Sequence, residues 1–158
     1  MEALARRVGE RLKAADGQLV TAESCTGGWA AQAVTSVAGS SAWFERGFVT
    51  YSNAAKQELL GVKESTLQKH GAVSEQTARE MAQGALARSR GSVALAITGV
   101  AGPGGGSRDK PVGTVCFAWA SRHGTRSETK TFSGDRESVR RQSVIHALEG
   151  VLAALEGG

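Results

Sequence analysis

Residues 18–37, QLVTAESCTGGWAAQAVTSV, begin with a short apolar run, pass two adjacent glycines and continue into an alanine-rich segment. The apolar run predicts a strand over 18–22, and the alanine-rich segment predicts a helix over 28–37. The alternation continues along the chain, with further strands and helices predicted at 44–51, 54–60, 74–89 and 92–98. Strands that alternate with helices indicate an α/β fold in which helices cover both faces of one sheet.

The two ends of the chain extend this pattern. Apolar residues at helical spacing predict a first helix over 2–15, and Asp135 is placed to cap a final helix. Before that last helix, two strands are predicted at 112–120 and 125–132, joined by a tight turn. Such a hairpin requires an antiparallel strand pair. We therefore predict a three-layer α/β/α sandwich with a mixed, mostly parallel sheet.

The composition is that of a single globular domain. The length of 158 residues is usual for one domain, and 41% apolar with 22% charged residues excludes intrinsic disorder. Two cysteines are too few for a disulfide framework, and the three histidines lack metal-ligand spacing. No apolar run is long enough for a membrane span, and the first residues lack a signal-peptide pattern. We expect one domain over 1–158, located in the cytoplasm, with no metal and no membrane association.

Charge and glycine content favour an anionic small molecule as the partner. The formal net charge is +4, and the basic residues are scattered along the chain. A nucleic-acid-binding protein usually concentrates basic residues in a stripe or carries several stacking aromatic residues, and neither feature is evident. Glycine accounts for 21 residues, which indicates tight turns or close approach of the backbone to a ligand. We therefore expect a small-molecule substrate rather than nucleic acid.

Small polar residues follow three of the predicted strands, at 21–28, 50–53 and 98–103. In open α/β sheets, ligands bind at the carboxyl ends of the parallel strands. We therefore expect these three segments to converge on one site.

The first of these segments, AESCTGG, passes from a strand into a helix and carries Ser24. Backbone N–H groups at Gly27 and Gly28 would lie at a helix N-terminus, where they can bind an anion or a developing oxyanion. Ser24 precedes them in a position suited to a nucleophile. The alternative is that Ser24 or Thr26 only caps the helix.

The second segment, YSNAAK, places Lys56 in the first turn of a helix that Asn53 can cap. The helix dipole disfavours a cation at this end. A buried lysine here would have a lowered pKa and could act as a neutral base, whereas an exposed lysine would cost little. A serine nucleophile needs a nearby base, and the three histidines are interpreted as structural or surface residues. Lys56 is therefore the candidate base for Ser24.

The third segment is a glycine-rich loop over 97–113, ITGVAGPGGGSRDKPVG. It lacks the Gly-Lys pair of a Walker loop and the third glycine of a dinucleotide fingerprint. A mobile surface loop is the alternative to a ligand-binding loop. Later in the chain, Arg136, Arg140 and Arg141 open the final helix, either as a solvated face or as a clamp for a phosphate group.

Taken together, the motifs TAESCTGG, FxxGFVTYSNxAK, ITGxAGPxGGSxxKPVGTV and FxGDRxxVRxxxVxxAL resemble the CinA C-terminal domain family, over about residues 3–155. The resemblance implies a three-layer α/β/α domain with a mixed sheet. It implies hydrolysis of nicotinamide mononucleotide to nicotinate mononucleotide and ammonia, in the salvage of pyridine nucleotides. It also implies a serine–lysine site without metal or other cofactor, and a homodimer.

The family motifs imply roles for individual residues. Ser24 is implied as the nucleophile, Lys56 as the base and Tyr51 as an assisting group. Substrate contacts are implied at Thr26, Gly27, Gly28, Asn53, Thr98, Gly99 and Arg140. For Lys56 a second role stays open, in which it keeps its charge and only orients Ser24 or the substrate.

Two alternatives to a serine amidase stay open. Cys25 could be the nucleophile, because a thiol at a helix N-terminus beside a lysine would have a lowered pKa. A non-catalytic nucleotide-binding module would need the glycine loops but not the Ser24–Lys56 pair. The presence of both residues favours the enzyme.

Overall fold

A five-stranded sheet lies between two layers of helices in the computed structural model, which describes residues 1–157. The strands are β1 Leu19–Glu23, β2 Phe44–Val49, β3 Val93–Gly99, β4 Thr114–Ser121 and β5 Gly124–Thr131. The α-helices of this range are α1 Glu2–Ala14, α2 Trp29–Thr35, α3 Asn53–Leu60, α4 Glu64–His70, α5 Glu75–Ala87 and α6 Arg136–Gly157. Gly158, the last residue of the predicted 1–158 domain, lies outside the described residues.

The sheet has the strand order β2-β1-β3-β4-β5. Strand β1 pairs in parallel with both β2 and β3, whereas β4 is antiparallel to β3 and to β5. Four of the five strands therefore point in one direction, and only β4 is reversed. The predicted mixed, mostly parallel sheet is confirmed, and its antiparallel part includes the predicted hairpin, formed by β4 and β5.

The alternation of side chains along β3 explains the two helical layers. Val93, Leu95 and Ile97 face the layer formed by α1, α2 and α6. Ala94 and Ala96 face the opposite layer, formed by α3, α4 and α5. Successive side chains of a strand point to opposite faces, so one strand contributes to both cores. The three-layer α/β/α architecture is thereby confirmed. Within residues 1–157, no helix has both the length and the apolar character needed to cross a bilayer.

Side-chain caps set the start of three helices. As predicted, Ser74 caps α5 and Asp135 caps α6, each by accepting a hydrogen bond from an amide in the first turn. The cap of α3 differs from the prediction by one residue, because Ser52 Oγ accepts from the Ala55 amide and Asn53 is the first helical residue. Ser52 has the extended backbone that a cap requires, with φ −94° and ψ 162°.

Helix α4 was not predicted, because its residues, ESTLQKH, lack an extended apolar pattern. A contact from α5 holds its start. Glu80 Oε1 accepts a 2.9 Å hydrogen bond from the Lys63 amide, and Oε2 accepts a 2.6 Å bond from the Thr66 hydroxyl. Tertiary structure thus stabilises a helix that the local sequence does not specify.

Candidate active site

Strands β1, β2 and β3 end at the same edge of the sheet, and the polar segments that follow them converge there. A cavity of about 320 Å³ lies between these segments. Six of the predicted site residues line it, namely Ser24, Tyr51, Asn53, Lys56, Thr98 and Gly99. The structure thus brings the three strand ends together, as the sequence predicts.

Two larger cavities lie elsewhere in the described chain. One of about 420 Å³ is at the other end of the sheet, near Ser92 and Arg122. The other, of about 720 Å³, is near the start of α5 and is lined by Ser74 and Lys110. Lys110 donates to the carbonyl oxygen of His70, and the Ser74 hydroxyl belongs to the α5 cap. Of these three cavities in the described chain, only the 320 Å³ cavity contains a lysine amine in contact with a serine hydroxyl.

The amine of Lys56 lies against the hydroxyl of Ser24 in this cavity. Nζ is 3.0 Å from Ser24 Oγ and 3.0 Å from the carbonyl oxygen of Thr50. The carbonyl oxygen of Tyr51 is 3.5 Å away. Ser24 is 8% exposed and Lys56 is 1% exposed. The distance is that required between a nucleophile and the base that removes its proton.

Burial shifts the protonation of this amine. A charged ammonium loses its hydration when it is buried, and this lowers the pKa of Lys56 below its ordinary value. The position in the first turn of α3 also disfavours a charge, because the helix dipole is positive there. A neutral amine has two hydrogens and one lone pair. It can donate to the two carbonyl oxygens and accept from the Ser24 hydroxyl, whereas a charged ammonium would donate to all three oxygens that surround Nζ.

Cys25 follows Ser24 in sequence, and its side chain packs into the core. Its side chain is 7% exposed and packs in the apolar cluster between the sheet and α1, α2 and α6. Burial raises the pKa of the Cys25 thiol to about 12, the direction opposite to that of a reactive thiolate. The structure therefore disfavours Cys25 as the nucleophile.

The N-terminus of α2 is occupied by a carboxylate of the protein itself. Glu23 Oε1 accepts hydrogen bonds from the Ala30 amide at 2.8 Å and from the Thr26 hydroxyl at 2.7 Å. Glu23 Oε2 accepts from the Ala31 amide at 3.1 Å. The helix end that was predicted to bind a substrate anion is therefore already satisfied.

Thr26, Gly27 and Gly28, which were expected to contact the substrate, lie outside the cavity. The Gly27 amide donates to the carbonyl oxygen of Ser24 at 3.0 Å. Cys25 does line the cavity, and its amide has no oxygen acceptor among the described residues. The backbone amide that directly follows Ser24 is thus the candidate oxyanion donor, although sequence reasoning placed the donors at the glycines.

Arg136 is the arginine that reaches the cavity from α6. Its Nη1 donates to the carbonyl oxygen of Gly102 at 2.8 Å, and its Nη2 lies 3.4 Å from the hydroxyl of Tyr51. Tyr51 is 64% exposed, so the pair forms the rim of the cavity. The sequence placed Arg136 in a basic run but did not select it as a site residue.

Arg140 was predicted to contact substrate, but the structure does not bring it to the cavity. Its guanidinium donates to the carbonyl oxygens of Cys25 at 3.0 Å and Thr26 at 3.1 Å, and it stacks over Trp29. Residues four apart on a helix differ by about one turn, or roughly 6 Å along the axis. Arg140 therefore holds the loop after Ser24 from outside, while Arg136, one turn earlier, faces the cavity.

Thr98 and Gly99 form the inner wall at the end of β3. The Thr98 hydroxyl donates to the carbonyl oxygen of Ala72 at 2.8 Å and so fastens the segment before α5. At Gly99 a Cβ atom would lie 2.8 Å from the side chain of Val115 and 2.9 Å from the carbonyl oxygen of Thr114. Glycine is needed there because β4 passes too close for a side chain.

Residues 1–155 match the family model described as the CinA C-terminal domain. The chain belongs to the CinA C-terminal domain family. The resemblance carried by the sequence motifs is thereby confirmed.

Curated relatives in the family have two lengths. The chain is 58% identical over 149 residues to the nicotinamide-nucleotide amidohydrolase PncC of Escherichia coli K12, covering 92% of this chain and 89% of that protein. The protein of the same name from Pseudomonas putida is 55% identical over 149 residues, with coverages of 94% and 93%. A CinA-like protein of Syntrophobacter fumaroxidans is 52% identical over 147 residues, but only 35% of its length is covered. The chain therefore corresponds to nearly the whole of the short relatives.

Solved structures of the family have the same fold. The competence/damage inducible protein CihA of Agrobacterium tumefaciens aligns with a TM-score of 0.94 at 50% identity, covering 98% of this chain and 94% of that one. A CinA superfamily protein of Klebsiella pneumoniae aligns with a TM-score of 0.96 at 40% identity, with coverages of 99% and 98%.

Proposed function

We propose that the chain hydrolyses the carboxamide of nicotinamide mononucleotide to give nicotinate mononucleotide and ammonia. The relatives named nicotinamide-nucleotide amidohydrolase support both the hydrolase class and the substrate. The observation that carries the proposal is the buried 3.0 Å contact between Ser24 Oγ and Lys56 Nζ. Hydrolysis of an unactivated amide through a serine needs a base at this distance.

In the first half-reaction, Ser24 is acylated. Neutral Lys56 takes the hydroxyl proton as Oγ bonds to the carboxamide carbon, and then gives that proton to the nitrogen, which leaves as ammonia. The product on the enzyme is an ester between Ser24 Oγ and the nicotinate group. In the second half-reaction, Lys56 takes a proton from water as the water oxygen bonds to the ester carbon, and returns it to Oγ. Nicotinate mononucleotide is then released.

The oxyanion that forms on the carboxamide oxygen requires hydrogen-bond donors. Cys25 follows Ser24 and lines the cavity, and we assign its backbone amide as the donor. Loss of one such donor typically lowers turnover by ~10²–10³-fold. Arg140 supports this role indirectly, because it holds the carbonyl oxygens of Cys25 and Thr26.

The substrate phosphate is recognised by Arg136. This side chain stands on the rim of the cavity, and the residues that line the cavity include no Asp or Glu. A guanidinium with N–H groups left over can bind phosphate through two bonds. Tyr51 assists by orienting Arg136 through its hydroxyl, and Asn53 offers its amide at the same rim.

We further propose that residues 1–158 form one amidase domain that acts as a cytoplasmic homodimer in pyridine nucleotide salvage, without metal or other cofactor. Cys25 and Cys116 are both free and buried, which suits a reducing compartment. Val49 on the edge strand β2 is an exposed apolar side chain available to a second copy. Analytical ultracentrifugation of the purified chain measures the oligomeric state directly.

Ammonia release from nicotinamide mononucleotide tests the function. The purified chain should release one ammonia for each nicotinate mononucleotide formed, and treatment with EDTA should not change the rate. Ser24→Ala is the matched inactive control. Binding of the nucleotide without turnover would instead support a non-catalytic nucleotide-binding module, and loss of activity with EDTA would contradict the metal-free mechanism.

A further inference from the structure

Glu23 is a fully buried acidic residue at the end of β1, directly before the nucleophile. Its carboxylate accepts three hydrogen bonds, from the Thr26 hydroxyl and from the amides of Ala30 and Ala31. Within the described chain, no lysine or arginine forms an ion pair with it. A buried carboxylate needs such donors, because its lost hydration is otherwise uncompensated.

The three hydrogen bonds close the chain into a loop around Ser24. They reach 3, 7 and 8 residues ahead of Glu23 in sequence, so the turn that carries the nucleophile lies inside the closed segment. Arg140 also holds this turn, through the carbonyl oxygens of Cys25 and Thr26. The turn is thus held by two charged side chains from different elements.

The backbone of Glu23 connects this turn to the segment that positions the base. The Glu23 carbonyl oxygen accepts a 2.8 Å hydrogen bond from the Thr50 amide, and the Thr50 carbonyl oxygen is 3.0 Å from Lys56 Nζ. The Ser24 amide donates to the Ile97 carbonyl oxygen on β3 at 2.9 Å. Displacement of the Glu23 side chain would therefore change the position of Ser24 relative to Lys56.

We propose that Glu23 is a positioning residue, whose carboxylate holds the 24–29 turn so that Ser24 Oγ stays against Lys56 Nζ. The inference rests on the proposed function, because its kinetic test measures turnover of nicotinamide mononucleotide. Glu23 does not line the cavity, so its effect on substrate binding is expected to be small. A misplacement of about 1 Å can lower turnover by ~10²-fold, so the effect is expected in kcat.

Glu23→Gln tests the proposal with little change in shape. One oxygen of the side chain becomes an NH₂ group, which cannot accept from the Thr26 hydroxyl or from a helix amide. We expect kcat to fall by ~10²-fold and KM for nicotinamide mononucleotide to stay within about threefold, measured well below the melting temperature of the variant.

Glu80→Gln is the matched control. Glu80, on α5, also accepts from a backbone amide and a threonine hydroxyl, at the start of α4. It does not line the cavity. It should lower the melting temperature and leave kcat unchanged. If Glu23→Gln behaves like Glu80→Gln, with lower thermal stability and unchanged kcat, the positioning role is excluded.

Thr26→Val and Thr26→Ser serve if Glu23→Gln does not fold. Valine removes the hydroxyl that donates to Glu23, whereas serine keeps it. Thr26→Val should lower kcat and Thr26→Ser should restore it, and equal activity of the two variants would contradict the proposal.

Labelling of Ser24 by a fluorophosphonate, followed by intact mass, separates this inference from the proposed function. The labelling rate reports the reactivity of Ser24 without the natural substrate. If the parent chain labels rapidly but releases no ammonia from nicotinamide mononucleotide, the proposed substrate fails. Slower labelling of Glu23→Gln than of Glu80→Gln would still support the positioning role, and equal labelling rates would overturn it.

Discussion

The Nζ atom of Lys56 lies 3.0 Å from the Oγ atom of Ser24, although the two residues are 32 positions apart in the chain. Ser24 follows β1 and Lys56 lies on α3, which follows the neighbouring parallel strand β2. The pairing of two parallel strands therefore brings the proposed nucleophile and the proposed base together at one edge of the sheet.

Removal of the Ser24 hydroxyl should abolish activity, while removal of the neighbouring thiol should not. We expect Ser24→Ala to lower kcat by ~10³-fold or more. Cys25→Ala should retain most of the activity, because only the backbone amide of Cys25 serves the reaction, and it should lose some stability as a buried side chain. Steady-state ammonia release from both variants gives the comparison. If Cys25→Ala is inactive, and iodoacetamide inactivates the parent unless substrate is present, the Cys25 thiol is the nucleophile instead.

Activity should decrease as the pH falls through the lowered pKa of Lys56. The base must be neutral, and burial lowers its pKa, so kcat/KM should reach a plateau above that pKa and fall about tenfold per pH unit below it. Lys56→Arg, which stays charged at all working pH values, should be inactive. A pH-rate profile from pH 5 to 9 is the measurement. A flat profile between pH 5 and 8 would identify Lys56 as a fixed cation that only orients Ser24.

The two arginines of α6 should have different kinetic effects. Arg136→Ala should raise KM for nicotinamide mononucleotide by about 10–100-fold, the effect of losing a charged hydrogen bond worth about 1.5–3 kcal/mol. It should have little effect on any residual reaction with nicotinamide riboside, which lacks the phosphate. Arg140→Ala should lower kcat for both substrates equally, because Arg140 holds the Ser24 loop. If Arg140→Ala affects only the phosphorylated substrate, Arg140 contacts the substrate as the sequence predicts.

Replacement of Lys56 by methionine should inactivate the protein and stabilise it. The folded state lowers the pKa of Lys56, so between that pKa and the unfolded value of about 10.4 the unfolded state binds more protons, and stability rises with pH. Below the folded pKa the full cost of burying the charge is present. Lys56→Met should therefore be more stable than the parent, most clearly at acidic pH. Thermal melts of parent and variant at pH 5 and 9 test this, and a variant that melts below the parent at pH 5 would contradict it.

The sequence singled out Ser24 and Lys56, which the structure places in contact, because both residues stand in unusual local positions. Ser24 precedes two glycines at a strand end, and Lys56 lies at the helix end where a cation is disfavoured. The choice between Arg136 and Arg140 could not be made in the same way. Both arginines lie in the first two turns of α6. Which of them reaches the cavity depends on where α6 lies along its axis relative to the cavity, and this is a tertiary feature.

Glu23 illustrates a second limit of sequence reasoning. An acidic residue at the end of a short apolar strand resembles the first residue of a surface loop. Its burial and its three donors depend on how α2 returns over the end of β1, which is a tertiary feature. Helix α4 was missed for the same reason, since its start is held by Glu80 from α5.

The division of the sheet into a parallel and an antiparallel part has a consequence for folding kinetics. The β4–β5 hairpin joins neighbouring segments and can form early. Pairing of β1 with β3 instead encloses the whole chain from α2 to α5, including β2. Pairings of such high sequence separation form slowly, because the loop entropy is lost before the contacts are gained. Ser24 and Lys56 both belong to the slow part. During refolding, the recovery of enzyme activity should therefore lag behind the formation of the hairpin.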